Sequence, residues 1–158
     1  MDLKIVDVPV KRHLVKYLEV TCPKREGLFY LDMRIIPPRY HNSSDYVRYF
    51  TNPPAGYVEV TVLTKDSRLY KLYAWAQTID HMFTKELETH VAAKFGMRTL
   101  PGMLYRTSTA VRDFLAFYEI TEEELSYETA YKKWQRTRSY QQIKALRKRK
   151  TGRNTWLA

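Results

Sequence analysis

Tyr57-Val58-Glu59-Val60-Thr61-Val62-Leu63-Thr64 puts Val58, Val60 and Val62 on one side of an extended chain and Glu59 and Thr61 on the other. That alternation is the pattern of a half-buried strand. Upstream of it, residues 37–56 are polar and rich in Tyr, Asn, Ser and Pro, which reads as a long loop with a helical turn around Asp45 to Phe50. The run Leu28 to Ile36 stops at Pro37-Pro38 and reads as a second strand. The β-branched opening Leu3 to Val8 predicts a third, ended by Pro9. Between these, Val10, Leu14, Tyr17 and Leu18 recur at helical spacing, and Cys22-Pro23 to Gly27 reads as a turn.

Downstream, Leu69 to Trp75 fits a hairpin partner strand or a helix capped by Asp66, and periodicity does not choose between them. From Thr78, the spacing of Ile79, Met82, Phe83, Leu87, Val91 and Phe95 predicts a helix ending at Gly96. Leu104, Val111, Leu115 and Tyr118 mark another, capped by Thr107 or Ser108 and ended by Glu119-Ile120-Thr121. Thr121-x-x-Glu124 is a capping-box pattern, and Ser126 can cap a helix through Tyr127, Ala130, Tyr131 and Trp134. The predicted class is therefore α+β. A small antiparallel or mixed N-terminal sheet (near 3–8, 28–36 and 57–64, with 68–75 a candidate fourth strand) precedes an α-helical C-terminal half and a basic C-terminal extension. In domain terms this is one globular α+β domain over 1–138, sheet-containing in 1–79 and helical in 80–138, with 139–158 as the extension.

Charge is placed unevenly along the 158 residues, whose 27 Lys and Arg outnumber 17 Asp and Glu to give +10. Residues 1–79 sum to +4 and residues 80–131 to −4. Residues 132–158 hold ten cations and no acid: Lys132, Lys133, Arg136, Arg138, Lys144, Arg147, Lys148, Arg149, Lys150 and Arg153. Like charges so concentrated repel one another unless solvated or met by a polyanion, so these ten residues are the candidate nucleic-acid contacts. No apolar run approaches the roughly 18 residues of a membrane span, so no membrane partner is expected. Met1-Asp2-Leu3-Lys4 opens no secretory signal, which predicts an intracellular protein, cytoplasmic or in a virion if phage-encoded. Cys22, the single cysteine, allows neither an internal disulfide nor a thiolate zinc site.

On the last helices, Tyr127, Ala130, Tyr131 and Trp134 share one stripe and Lys132, Lys133 and Arg136 the opposite side. Tyr140, Ile143 and Leu146 form a second stripe on the basic side of the first. Either the helix breaks near Thr137 to Ser139, or this stripe packs on another surface, such as a second copy or a protein assembly. The order from Val111 to Arg138 (helix, turn, acidic segment, basic aromatic helix) is that of a helix-turn-helix. Phe114-x-x-Phe117-Tyr118-x-Ile120-Thr121-x-x-x-Leu125 resembles the helix-turn-helix of bacterial replication initiators over that short span, without that family's basic signature.

These features predict a non-enzymatic nucleic-acid-binding protein, DNA in preference to RNA, using the basic C-terminal helix and tail. The alternative is a structural or assembly component, of a phage particle or a ribonucleoprotein, whose basic tail docks on an acidic partner. A third reading assembles a metal-dependent nuclease from Asp32, Asp45, Glu59 and Lys65. His13, His41, His81 and His90 are too scattered for a zinc site, and the five glycines form no phosphate loop, so no cofactor, resident metal or catalytic set is expected. His41 beside Asp45 is the one acid–base pair the sequence suggests. A last candidate surface is Tyr40, Tyr46, Tyr49 and Phe50 with Arg39 and Arg48, where single-stranded bases could stack.

Overall fold

The strand at 57–64 is the centre of the sheet. The computed structural model describes residues 2–31, 43–96 and 106–155. In it β4 (Tyr57–Thr64) lies between β1 (Lys4–Lys11), antiparallel to it, and β3 (Leu28–Leu31), parallel to it; β2 (Lys24–Arg25) closes the order β1-β4-β3-β2. Among the described residues, six helices complete a mixed α+β chain: α1 (Arg12–Thr21), α2 (Ser43–Thr51), α3 (Leu69–Gly96), α4 (Thr107–Phe117), α5 (Tyr127–Gln135) and α6 (Arg138–Thr155). The larger helical part falls in the C-terminal half. The chain divides into two compact units, 1–83 and 84–158, with the division inside α3. Among the described residues no helix is long and apolar enough to cross a membrane.

In the first unit, register fixes which side chains are buried. Val8 pairs with Val60, Val6 with Val62, and Phe29 with Val62 from the other side, so Val8, Val60, Val62 and Phe29 share the buried face. Leu14, Tyr17 and Leu18 of α1 and Leu72, Trp75, Ile79 and Phe83 of α3 supply much of the rest of this core. The rings of His13 and Tyr17 lie 4.9 and 5.5 Å from that of Phe83, and Lys11 at the end of β1 is paired at 2.5 Å with Asp80 of α3. The β2–β3 hairpin turns on Glu26 and Gly27, both with positive φ (53° and 79°), as a two-residue turn of this twist requires.

Three sequence expectations are corrected here. Pro9 does not end the first strand: β1 continues to Lys11, because it is an edge strand and an edge tolerates a residue without an N–H. Residues 69–75 are not the candidate fourth strand but, as the alternative reading had it, the start of a helix: the first turns of α3, introduced by an Asx turn in which the Asp66 carboxylate accepts from the Arg68 N–H at 3.2 Å. Accordingly the helix starts at Leu69, well before Thr78. The helical turn near Asp45–Phe50 is present as α2. The expected strand 28–36 is described to Leu31, its remainder lying outside the described residues.

Candidate nucleic-acid interface

The second unit is organised by the joint between α4 and α5. Neither Thr107 nor Ser108 caps α4: its N-cap is Arg106, and the Thr107 hydroxyl lies 3.5 Å from that of Tyr131 instead. At the other end, Glu119 N–H donates to Ala116 O at 3.0 Å and Ile120 N–H to Leu115 O at 2.9 Å, with Glu119 at φ 55°. This is a Schellman closure, and the burial of both Leu115 and Ile120 supplies its apolar contact. A left-handed residue other than glycine stores about 1 kcal/mol of strain. Glu119→Gly is therefore expected to raise the unfolding free energy by up to about 1 kcal/mol in urea titrations. An unchanged or lower midpoint would show that the Glu119 side chain supplies more than the strain takes away.

The chain then makes one helical turn, with Glu124 and Leu125 N–H groups on Thr121 O, and the Glu124 carboxylate accepts from Thr121 N–H at 2.9 Å. Leu125 plugs the turn from inside. Ser126 caps α5, its hydroxyl accepting from Thr129 N–H at 3.1 Å, while Glu122 accepts from Tyr127 N–H at 3.0 Å. Arg112 of α4 lies over the Tyr127 ring at 4.5 Å. The connection runs from Tyr118 to Ser126, longer than the roughly 3–4-residue turn of the common helix-turn-helix.

On α5, Ala130 and Trp134 are fully buried, and Tyr127 and Tyr131 are half-buried. The outer stripe is Glu128, Thr129, Lys132 and Arg136, all exposed, with Lys133 half-buried beside it. Lys132 pairs with Glu128 one turn earlier at 2.7 Å and holds that carboxyl below the usual range. Of the two alternatives for the second stripe, the break near Thr137 is present. The Thr137 hydroxyl donates to Trp134 O at 2.6 Å and accepts from Tyr140 N–H at 3.4 Å, so one side chain both closes α5 and opens α6.

The second apolar stripe is divided by this geometry. Tyr140 meets Trp134 edge-on at 5.1 Å and Ile143 is buried, which leaves Leu146, 48% exposed, as the one member open to a partner. Lys144, Lys148 and Arg149 are exposed on α6, and the Lys144 ammonium stands 5.9 Å from the Tyr140 ring. Arg138, Arg147, Lys150 and Arg153 take backbone positions on the same helix. No protein-family model matches this chain, and no curated protein or solved structure matches it either.

The other candidate residues belong to the first unit or lie outside the described residues. Tyr49 is a core anchor: its hydroxyl donates to Pro9 O, and its ring meets those of Tyr57 and Tyr73 edge-on. It is thus not available for base stacking, while Arg39, Tyr40 and His41 lie outside the described residues. Glu59 is exposed on β4, Asp45 is on α2, Lys65 is exposed after β4, and Asp32 lies outside the described residues. Among the described residues no group of three His, Cys, Asp or Glu could hold a metal ion. A cleft of about 500 Å³ lined by Lys85, Glu86, Thr89, His90, Phe114, Phe117 and Tyr118 is the feature that sequence reasoning missed. There the Tyr118 hydroxyl donates to Glu86 at 2.5 Å, and burial pushes the His90 imidazole below its ordinary pKa. The helical spacing of Glu86 and His90 was visible in sequence, but nothing local pairs that face with Phe114.

Proposed function

We propose that this chain binds DNA without catalysing a reaction, presenting the outer stripe of α5 to a groove while the cations of α6 neutralise phosphates. The observation that carries this reading is the contrast across α5: Ala130 and Trp134 are fully buried on one side, and Glu128, Thr129, Lys132 and Arg136 are exposed on the other. A helix anchored on one side offers its polar side in a fixed orientation, which groove reading needs. DNA is favoured over RNA because the major groove of A-form RNA is too deep and narrow for side chains to read. The absence of any acid after residue 131 supports phosphate neutralisation along the same stretch.

Selection from a random duplex library tests this. The wild-type chain is expected to enrich a defined sequence, and Arg136→Ala to relax preference at one base position with a loss of about 1–3 kcal/mol. If Arg136 contacts phosphate instead, its loss weakens all sequences alike. Failure to enrich any sequence removes α5 as a reader, and retention of a partner after nuclease treatment points to an acidic protein.

A further inference from the structure

Among the described residues, no strand lies on the outer edge of β1. Arg12 N–H donates to Gly56 O at 3.3 Å in the continuation of the β1–β4 register, so the even-numbered residues of β1 address β4. The odd-numbered residues Ile5, Asp7 and Pro9 accordingly turn their peptide groups outward. At Pro9 the outward edge is closed twice: the residue has no N–H, and its carbonyl accepts the Tyr49 hydroxyl from α2. From Leu3 to Asp7 no backbone partner occupies the outward groups among the described residues. Ile5, in the middle of this stretch, is 66% exposed.

We propose that this edge pairs with the same edge of a second copy, antiparallel and about a two-fold axis through Ile5. Outward groups must meet outward groups, so odd residues face odd residues, and only a few registers exist. Placing Lys4 opposite Lys4, or Asp7 opposite Asp7, sets like charges about 4.5–5.5 Å apart between Cα atoms. Placing Val6 opposite Val6 sets each exposed Ile5 against an Asp7 carboxylate. With Ile5 opposite Ile5, the two exposed isoleucines cover one another, Leu3 faces Asp7, Lys4 faces Val6, and no like charges are opposed. The pairing also stops short of the Tyr49-capped carbonyl. A self-complementary patch of this kind is what a closed two-fold dimer uses, and it continues the sheet across the axis. The proposal does not rest on the DNA reading.

Disulfide trapping tests both the partner and the register, in a Cys22→Ser background so that the natural thiol does not contribute. Ile5→Cys places two sulfurs on residues whose Cα atoms are about 5.5 Å apart, within the disulfide window. Asp7→Cys places them about 14 Å apart at the strand rise. Mild oxidation is expected to cross-link the first variant and not the second. The unmodified chain should sediment as a concentration-dependent dimer with the Ile5 and Asp7 amides slowed in hydrogen exchange. Ile5→Lys should sediment as monomer with its circular dichroism intact, since the side chain it replaces is already exposed. A chain that is monomeric at every concentration with fast-exchanging Ile5 and Asp7 amides overturns the proposal. Equal cross-linking at positions 5 and 7, or a dimer that survives Ile5→Lys, overturns it as well.

Discussion

Trp134→Ala is expected to lower the unfolding free energy by about 3–5 kcal/mol, the range for truncating a fully buried large aromatic. The indole is 0% exposed and is gripped edge-on by Tyr131 at 5.3 Å and Tyr140 at 5.1 Å, so alanine leaves a cavity whose walls belong to two helices. Thr137, which closes α5 and opens α6, is bonded to the Trp134 carbonyl, and the cavity therefore forms at the joint that sets the direction of α6. Trp134→Phe should be much milder. The indole N–H is buried with no hydrogen-bond partner among the described residues, so removing it discards an unsatisfied donor while most of the ring volume stays. Urea titration of both variants by far-UV circular dichroism checks this, and a loss below about 1.5 kcal/mol for the alanine would show that the surrounding rings collapse into the space.

Replacing Lys144, Lys148 and Arg149 together by glutamine is expected to weaken duplex binding roughly 100- to 1,000-fold at 0.1 M salt and to flatten the log–log salt slope by about 2.7, since each phosphate contact contributes about 0.9. All three side chains are exposed on α6, so the variant should keep the wild-type circular dichroism spectrum. The slope is the more telling readout. A triple variant with unchanged slope would make these cations bystanders and move the proposed contacts to α5. Truncating the chain at residue 139 would be a poorer experiment, because it also removes Tyr140, which packs on Trp134, and the buried Ile143.

The strand at 57–64 and the helices α1 and α5 were legible because each carries its own period, whereas α2 was read only as a helical turn within a long loop. Pro9 misled because local rules treat proline as a strand terminator, whereas its tolerance depends on whether a neighbouring strand exists on that side. Leu69 to Trp75 was ambiguous when read alone. Its helical nature shows once Leu72, Trp75, Ala76, Ile79 and Phe83 are read as one series, all of them buried, across Thr78. Thr78 resembles a helix start but is interior, its hydroxyl donating back to Ala74 O at 2.8 Å. Of the candidate interface, the exposed cations and the break at Thr137 followed from charge count and from two incompatible stripes. The burial of Ile143 did not, since it depends on how α6 leaves the joint. Glu119 in a left-handed conformation was equally hidden, because the sequence there carries no glycine.

The pairing of β1 with β4 joins residues 46 positions apart at one end, Lys11 with Tyr57, and 60 apart at the other, Lys4 with Thr64. On a growing chain, β1 is made before the other strands of this sheet and is the last of them to find its place, because β4, its partner among the described residues, is not complete until Thr64 has been synthesised. During that interval both edges of β1 lack strands, and its valines have no sheet to join. Closing so long a loop is slow compared with the local contacts of α4, α5 and α6. The interval before Thr64 emerges is thus when this chain is most exposed to pairing with the wrong neighbour.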